Sequence, residues 1–169
     1  MLALLAVAAA ALSGCTPTPE PSPTPTAAFA SEEEAFAAAE ETYRAYIDAS
    51  NNVDYGNPST FDPLDAFTTG SYQADEHEGL SQMHAEGNSR TGDIEISWFK
   101  GVKFDPASAV IARTCNDVSA TDVLDADGES IVSAARPTHY AIELTFTVNG
   151  GQLLLTTSRA VEDSECAQQ

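Results

Sequence analysis

The apolar positions of this chain change their spacing near Thr91, and that change limits what it can fold into. Before it, Phe36, Ala39, Tyr43, Tyr46 and Ile47 recur at steps of three and four, which is one face of a helix. After it, Tyr140, Ile142, Leu144, Phe146 and Val148 alternate, the period of a strand with one buried face. Helical segments followed by strands imply an α+β fold, with N-terminal helices packed in a curved antiparallel sheet of about four strands.

Local signals place the elements. Ser31-Glu32-Glu33-Glu34 is a capping box, in which Ser31 caps the N–H of residue 34 and Glu34 reaches back to residue 31. Acidic residues in that first turn suit the positive end of the helix dipole. The helix is expected to end near Ser50-Asn51-Asn52. Residues 63–86 form a weaker helical region with Leu64, Phe67, Tyr72, Leu80 and Met83 inward, broken in two at Thr69-Gly70. Ile94, Ile96, Trp98, Val102 and Phe104 predict a first strand with a bulge near Gly101. Residues 109–115 alternate as a second, and Ile131-Val132 adds a short one. Asp125-Ala126-Asp127-Gly128 marks a turn, and Asn149-Gly150 suits a tight primed hairpin between residues 140–148 and 153–161.

The N-terminal part has a different character. Residues 1–14 read as a lipoprotein signal peptide. The apolar run is well short of the roughly 20 residues that span a bilayer, and it closes on Leu12-Ser13-Gly14-Cys15. Cys15 would be acylated after cleavage and become the new N-terminus. No Lys or Arg precedes the run, a departure from the usual pattern. Residues 15–30 carry that cysteine and a Pro/Thr-rich stalk whose prolines favour an extended polyproline II backbone. Two acyl chains give stable anchoring where one does not, so the expected location is the extracytoplasmic face of the cell membrane, held by lipid. Residues 31–169 are left as a single extracytoplasmic domain, large enough for one core.

Charge excludes some partners. The 169 residues include 26 acidic and 7 basic side chains, a formal net charge of −19. That field repels phosphate backbones and anionic headgroups, so nucleic acid is not an expected partner. Apart from the lipid anchor, the partner classes left are an envelope protein or a small ligand, with a homodimer through the sheet as the expected form of self-association.

With Cys15 assigned to lipid, Cys115 and Cys166 remain. Outside the cytoplasm such a pair forms a disulfide. The alternative is two free thiols at a redox or metal site, although the chain has no Cys-x-x-Cys.

Several residues resemble chemistry without completing it. His77 and His84 are seven apart, about 10 Å along a helix axis and too far to share one ion easily. Asp125, Asp127 and Glu129 begin like a calcium loop, but Arg136 stands where the bidentate Glu belongs. No metal or cofactor is therefore expected. Asp62, Asp65, Tyr43, Tyr72, His139 and Tyr140 include the residue types of a base and a proton donor, yet no spacing singles out a pair. Among the scarce cations Arg44, Arg90, Arg113 and Arg136, Arg113 lies mid-strand, where it could enter the core or mouth and meet a carboxylate.

The order of elements is similar to the NTF2-like, cystatin-like α+β cone. More narrowly, the chain resembles small lipoproteins of high-GC Gram-positive bacteria. The residues that carry this are Leu12-Ser13-Gly14-Cys15, Glu41-Thr42-Tyr43-Arg44-Ala45-Tyr46, Cys115-Asn116-Asp117-Val118, Val123 to Ser130, Arg136-Pro137 and the final hairpin. Leu153-Leu154-Leu155 replaces a Trp common in the last strand of such domains. The resemblance implies a cone whose pocket would be lined by Tyr43, Tyr46, Trp98, Arg113 and Tyr140. It is compatible with a non-catalytic binding domain or, alternatively, with an isomerase or dehydratase; no catalytic residue is assigned.

Overall fold

The computed structural model describes residues 28–169. The expected signal peptide, Cys15 and most of the stalk lie outside the described residues. The fold is α+β. Helix α1 (Glu32–Asn51) is followed by short 3-10 turns at Pro58–Thr60 and Asp62–Ala66, then helix α2 (Gly70–Ala85). Six strands follow: β1 (Ser89–Thr91), β2 (Glu95–Asp105), β3 (Ala109–Asp117), β4 (Asp122–Leu124), β5 (His139–Asn149) and β6 (Gln152–Val161). The main sheet is antiparallel in the order β2-β3-β5-β6, while β1 and β4 pair separately.

Helix α1 starts where its capping box predicts. Ser31 Oγ accepts from the Glu34 N–H at 3.1 Å, but the Glu34 carboxylate takes the N–H of Ala30 at 2.8 Å, one residue further back than expected. The last turn has no basic residue of its own. Arg90, from β1, donates to the Ser50 carbonyl at 2.6 Å and supplies the positive charge that the C-terminal end of the dipole favours. The Asn51 amide both donates to and accepts from the Ile94 backbone, each at 3.0 Å, and so fixes the helix end to the start of β2.

The buried face of α1 is Ala35, Ala39, Tyr43, Tyr46 and Ile47. It packs on Val110, Ala112, Leu144, Phe146 and Leu155, side chains that alternate inward along β3, β5 and β6. Each large apolar side chain fully buried in this way contributes roughly 1.5–3 kcal/mol. The small residues Ala35 and Ala39 let the helix lie close to the sheet. Helix α2 buries no residue completely and rests against β6. The segment before it is tied to the same strand by Thr69 N–H to Leu155 O at 3.0 Å and Leu155 N–H to Phe67 O at 2.8 Å.

Bulges curve the sheet. Register shifts fall between Ile96 and Trp98, between Gly101 and Lys103, and between Thr145 and Phe146 where β5 meets β6. The one near Gly101 is where the sequence predicts it; the one at Ser97 is not. Each extra residue reverses the in–out alternation beyond it. Phe99 and Phe104 therefore face the helices, while Val102, expected inside, is 49% exposed.

Two further expectations are corrected. Ile131-Val132 forms no strand; β4 pairs instead with β1, and Ile131 is exposed. The hairpin turn is Gly150-Gly151 rather than Asn149-Gly150, since Asn149 pairs with Gln152. Both glycines have positive φ, as the type I′ form of the primed two-residue turn requires. At Asp125, the side chain accepts from the Asp127 and Glu129 N–H groups, each at 2.9 Å, which closes an ordinary Asp-Gly turn.

Cys115 and Cys166 form a disulfide with Cα atoms 5.5 Å apart. It holds the C-terminal turn against the outer face of the sheet, beside Ala141, Trp98 and Val161. Among the described residues, no helix is long and apolar enough to cross a membrane.

Candidate functional site

The helix-facing side of the sheet gathers a network of phenols, an amide and a carboxylate. Asn116, buried on β3, donates to the Tyr43 hydroxyl at 2.8 Å and accepts from Thr114 at 3.3 Å. The Tyr43 ring lies 5.9 Å from that of Tyr46, one turn further along α1. The Tyr46 hydroxyl is 2.8 Å from that of Tyr72 and donates to Glu76 Oε1 at 2.5 Å. The second Glu76 oxygen is buried and has no hydrogen-bond partner among the described residues. Thr68 stands near it, but its hydroxyl donates to the Leu64 carbonyl at 3.2 Å.

Burial sets the acidities here. It pushes the Tyr43 and Tyr46 phenols far above their ordinary range, and Asn116 offsets only part of the effect at Tyr43. Burial also raises Tyr72, to about 12. These phenols keep their protons at physiological pH. Burial raises Glu76 as well, against the opposing hydrogen bond from Tyr46. Glu76 is therefore the group in the network that can change charge.

The residues expected to line a pocket divide between the two faces of the sheet. Tyr43 and Tyr46 lie inside, and Tyr140, paired across the ladder with Asn116, is 37% exposed at the rim. Trp98 and Arg113 do not join them. The bulge at Ser97 turns Trp98 to the outer face, where it packs on the disulfide beneath the Lys100 ammonium, 4.5 Å from its ring. Phe99 takes the inner place, 6.1 Å from Tyr43. Arg113 shares its face with Cys115 rather than with Ala112 and Thr114. It donates to Glu143 at 3.0 Å, and Arg159 reaches the same carboxylate at 2.6 Å.

The other candidates have separate partners. His77 Nε2 lies 2.6 Å from Asp65, whereas His84 Nδ1 lies 2.7 Å from the Tyr55 carbonyl. Arg136 binds the carbonyls of Val118 and Thr121 and pins the loop before β5. Asp62 begins a 3-10 turn, and His139 lies 3.4 Å from Asp117. Sequence reasoning missed Glu76, which reads as one more charge on an acidic helix. The available signal was the spacing of Tyr72, Glu76 and Leu80, four apart on one face.

The interior is filled. Tyr43, Leu144, Phe146 and Leu155 are each 2% exposed or less. An apolar cleft of about 450 Å³ opens elsewhere, where β5 begins and β6 ends. Pro137, Tyr140, Ala141, Ala160, Val161 and Ala167 line it.

No family model matches the chain. No curated protein matches it in sequence. Similarity is found among solved structures. The intermembrane space region of the chloroplast protein ARC6 superposes with a TM-score of 0.53 at 10% identity, over 76% of this chain and 97% of that one. A protein from Novosphingobium aromaticivorans, assigned as an aromatic ring hydroxylase, gives a TM-score of 0.53 at 12% identity, over 79% of this chain and 93% of the other. At such identities the likeness concerns the fold alone: helices packed against a curved antiparallel sheet.

Proposed function

We propose that the chain is a lipid-anchored envelope protein whose NTF2-like domain binds a partner without catalysis. The observation that carries the reading is the filled interior. A substrate inside the cone would have to displace Tyr43, Leu144 or Phe146, all buried, whereas the apolar cleft at the end of β5 and β6 is already open. The Leu12-Ser13-Gly14-Cys15 sequence and the proline-alternating segment after it support anchoring and display away from the bilayer.

Two measurements test this. Cys15→Ser should release the protein into the medium or leave the precursor uncleaved; unchanged processing and retention would remove the anchor. In crosslinking on intact cells, the full chain should capture one defined envelope component, and Glu76→Gln should capture it equally well. Failure to capture any component would remove the binding reading.

A second reading, a proton-transfer enzyme of the isomerase or dehydratase type, is favoured by one observation. Glu76 has one buried oxygen without a hydrogen-bond partner among the described residues and a phenol on the other, the pairing of base and donor that such chemistry uses. It requires the core to open. An activity abolished by Glu76→Gln in a variant that keeps wild-type stability would establish it.

A further inference from the structure

The last half of β6 is an open edge. Its first half is covered by Phe67–Thr69 through the bonds to Leu155. Beyond the bulge at Thr156, no backbone group among the described residues pairs with the outer side of residues 157–161. Ser158 and Ala160 stand opposite Leu144 and Ile142 on the helix-facing side of the sheet, where burial is the rule. Both are nevertheless exposed, as are Thr157 and Arg159. Four successive exposed residues on a strand whose neighbour is buried mean that neither α2 nor the C-terminal segment covers this edge.

Free edges invite pairing, and proteins blunt them with lysine, proline, bulges or covering elements. The opposite edge is treated in that way: β2 carries Lys100, Lys103 and two bulges. On residues 157–161 only Arg159 is charged, and it leans across the outer face to Glu143. The apolar cleft begins where this edge ends, at Ala160 and Val161, and Glu162 and Asp163 border it, the Asp163 carboxylate also accepting from the Glu165 and Cys166 N–H groups.

We infer that the edge formed by residues 157–161 takes up an extended, positively charged segment of a partner polypeptide as an added strand, with an apolar side chain seated in the cleft. This inference rests on the binding reading above and names the site and the chemistry of the partner. Strand addition gives affinity through main-chain hydrogen bonds and specificity through pockets for alternate side chains. Charge selects the occupant. A second copy would bring another net charge of −19 to a chain of the same charge, whereas a basic segment is attracted both to the chain and to the cleft rim.

The test uses the full chain and an acetylated, amidated peptide of alternating lysine and valine with one central phenylalanine. The peptide should slow amide hydrogen exchange at residues 157–161. Ser158→Lys with Ala160→Lys places inward-leaning charge on exposed positions and should weaken peptide binding by about tenfold or more, with an unchanged unfolding midpoint. Peptides with proline at the centre, or with glutamate for lysine, should not protect these amides. Protection elsewhere, equal binding of the proline peptide, or protection of the same amides by self-association without peptide would overturn the inference. If the doubly substituted chain still captured the envelope component and wild type showed no protection, the edge assignment would fail while the binding reading stood. Capture of nothing by either chain would remove both.

Discussion

The Tyr46 hydroxyl donates to Glu76 Oε1 across 2.5 Å and joins α1 to α2. This bond is the main favourable contact of a carboxylate that burial otherwise penalises. Tyr46→Phe should raise the Glu76 pKa further, because it removes the hydrogen bond that opposes burial. Leaving a buried acceptor unpaired costs about 1–3 kcal/mol. Carboxyl titration by NMR and urea unfolding check the two effects. A Glu76 pKa unchanged or lowered in the variant would refute the assignment.

The same group predicts a pH dependence. The folded pKa of Glu76 lies above its unfolded value, so the folded chain holds more protons between the two. The stability contributed by Glu76 is fully present below the unfolded value and is lost as pH rises through the folded one. Glu76→Gln should flatten that part of the stability–pH curve. A curve identical to wild type would show that burial does not shift this carboxyl.

The Cys115–Cys166 bridge spans a sequence separation of 51. In the chain-entropy model, closing such a loop contributes on the order of 4 kcal/mol. Cys115→Ala with Cys166→Ala should lower the unfolding free energy by about 2–5 kcal/mol and expose Trp98, which packs on the bridge. Urea unfolding followed by tryptophan fluorescence reads both changes. The native protein should also show no reactive thiol from this pair.

Periodicity made the helices and the four long strands legible, and the cysteine count did the same for the disulfide. Tyr43, Leu144 and Phe146 follow from the step of four and the step of two. The sides of β2 were not legible, because a bulge depends on how two strands meet and carries little local signal. One extra residue at Ser97 sent Trp98 outward and brought Phe99 in. The β1–β4 pair was equally hidden, since three-residue strands such as Ser-Arg-Thr have no apolar alternation. Arg113 illustrates a third limit. Its place on β3 was readable, but its face became clear only once Cys115 was fixed outward by the tail. Glu76 was hidden by composition: on a helix rich in acidic residues, the one turned toward two tyrosines looks like the rest.

Gly101 is required by Phe36. A Cβ at residue 101 would lie 2.2 Å from the Phe36 ring, which covers the bulge in β2. Gly101→Ala should destabilise by about 1–3 kcal/mol, the usual range for overpacking. Phe36→Ala should remove most of that additional loss, so that the two substitutions together destabilise by less than their sum. A strictly additive double-mutant cycle would show that ring and glycine do not meet.

On the outer face, Glu143 stands between Arg159 and Arg113, and these hydrogen bonds, Arg159 first, hold its carboxyl below the usual range. The sign is opposite to that of Glu76. A depressed folded pKa gives stability that is present above the unfolded value and is lost as pH falls through the folded one. Glu143→Gln should therefore diminish the loss of stability on acidification, whereas Glu76→Gln acts on the limb where pH rises. Both arginines are partly exposed, so salt should weaken the effect. Urea midpoints of wild type and Glu143→Gln, measured across the acid range at low and high salt, decide the matter. Parallel curves would mean that the two guanidinium groups contribute nothing to acid stability.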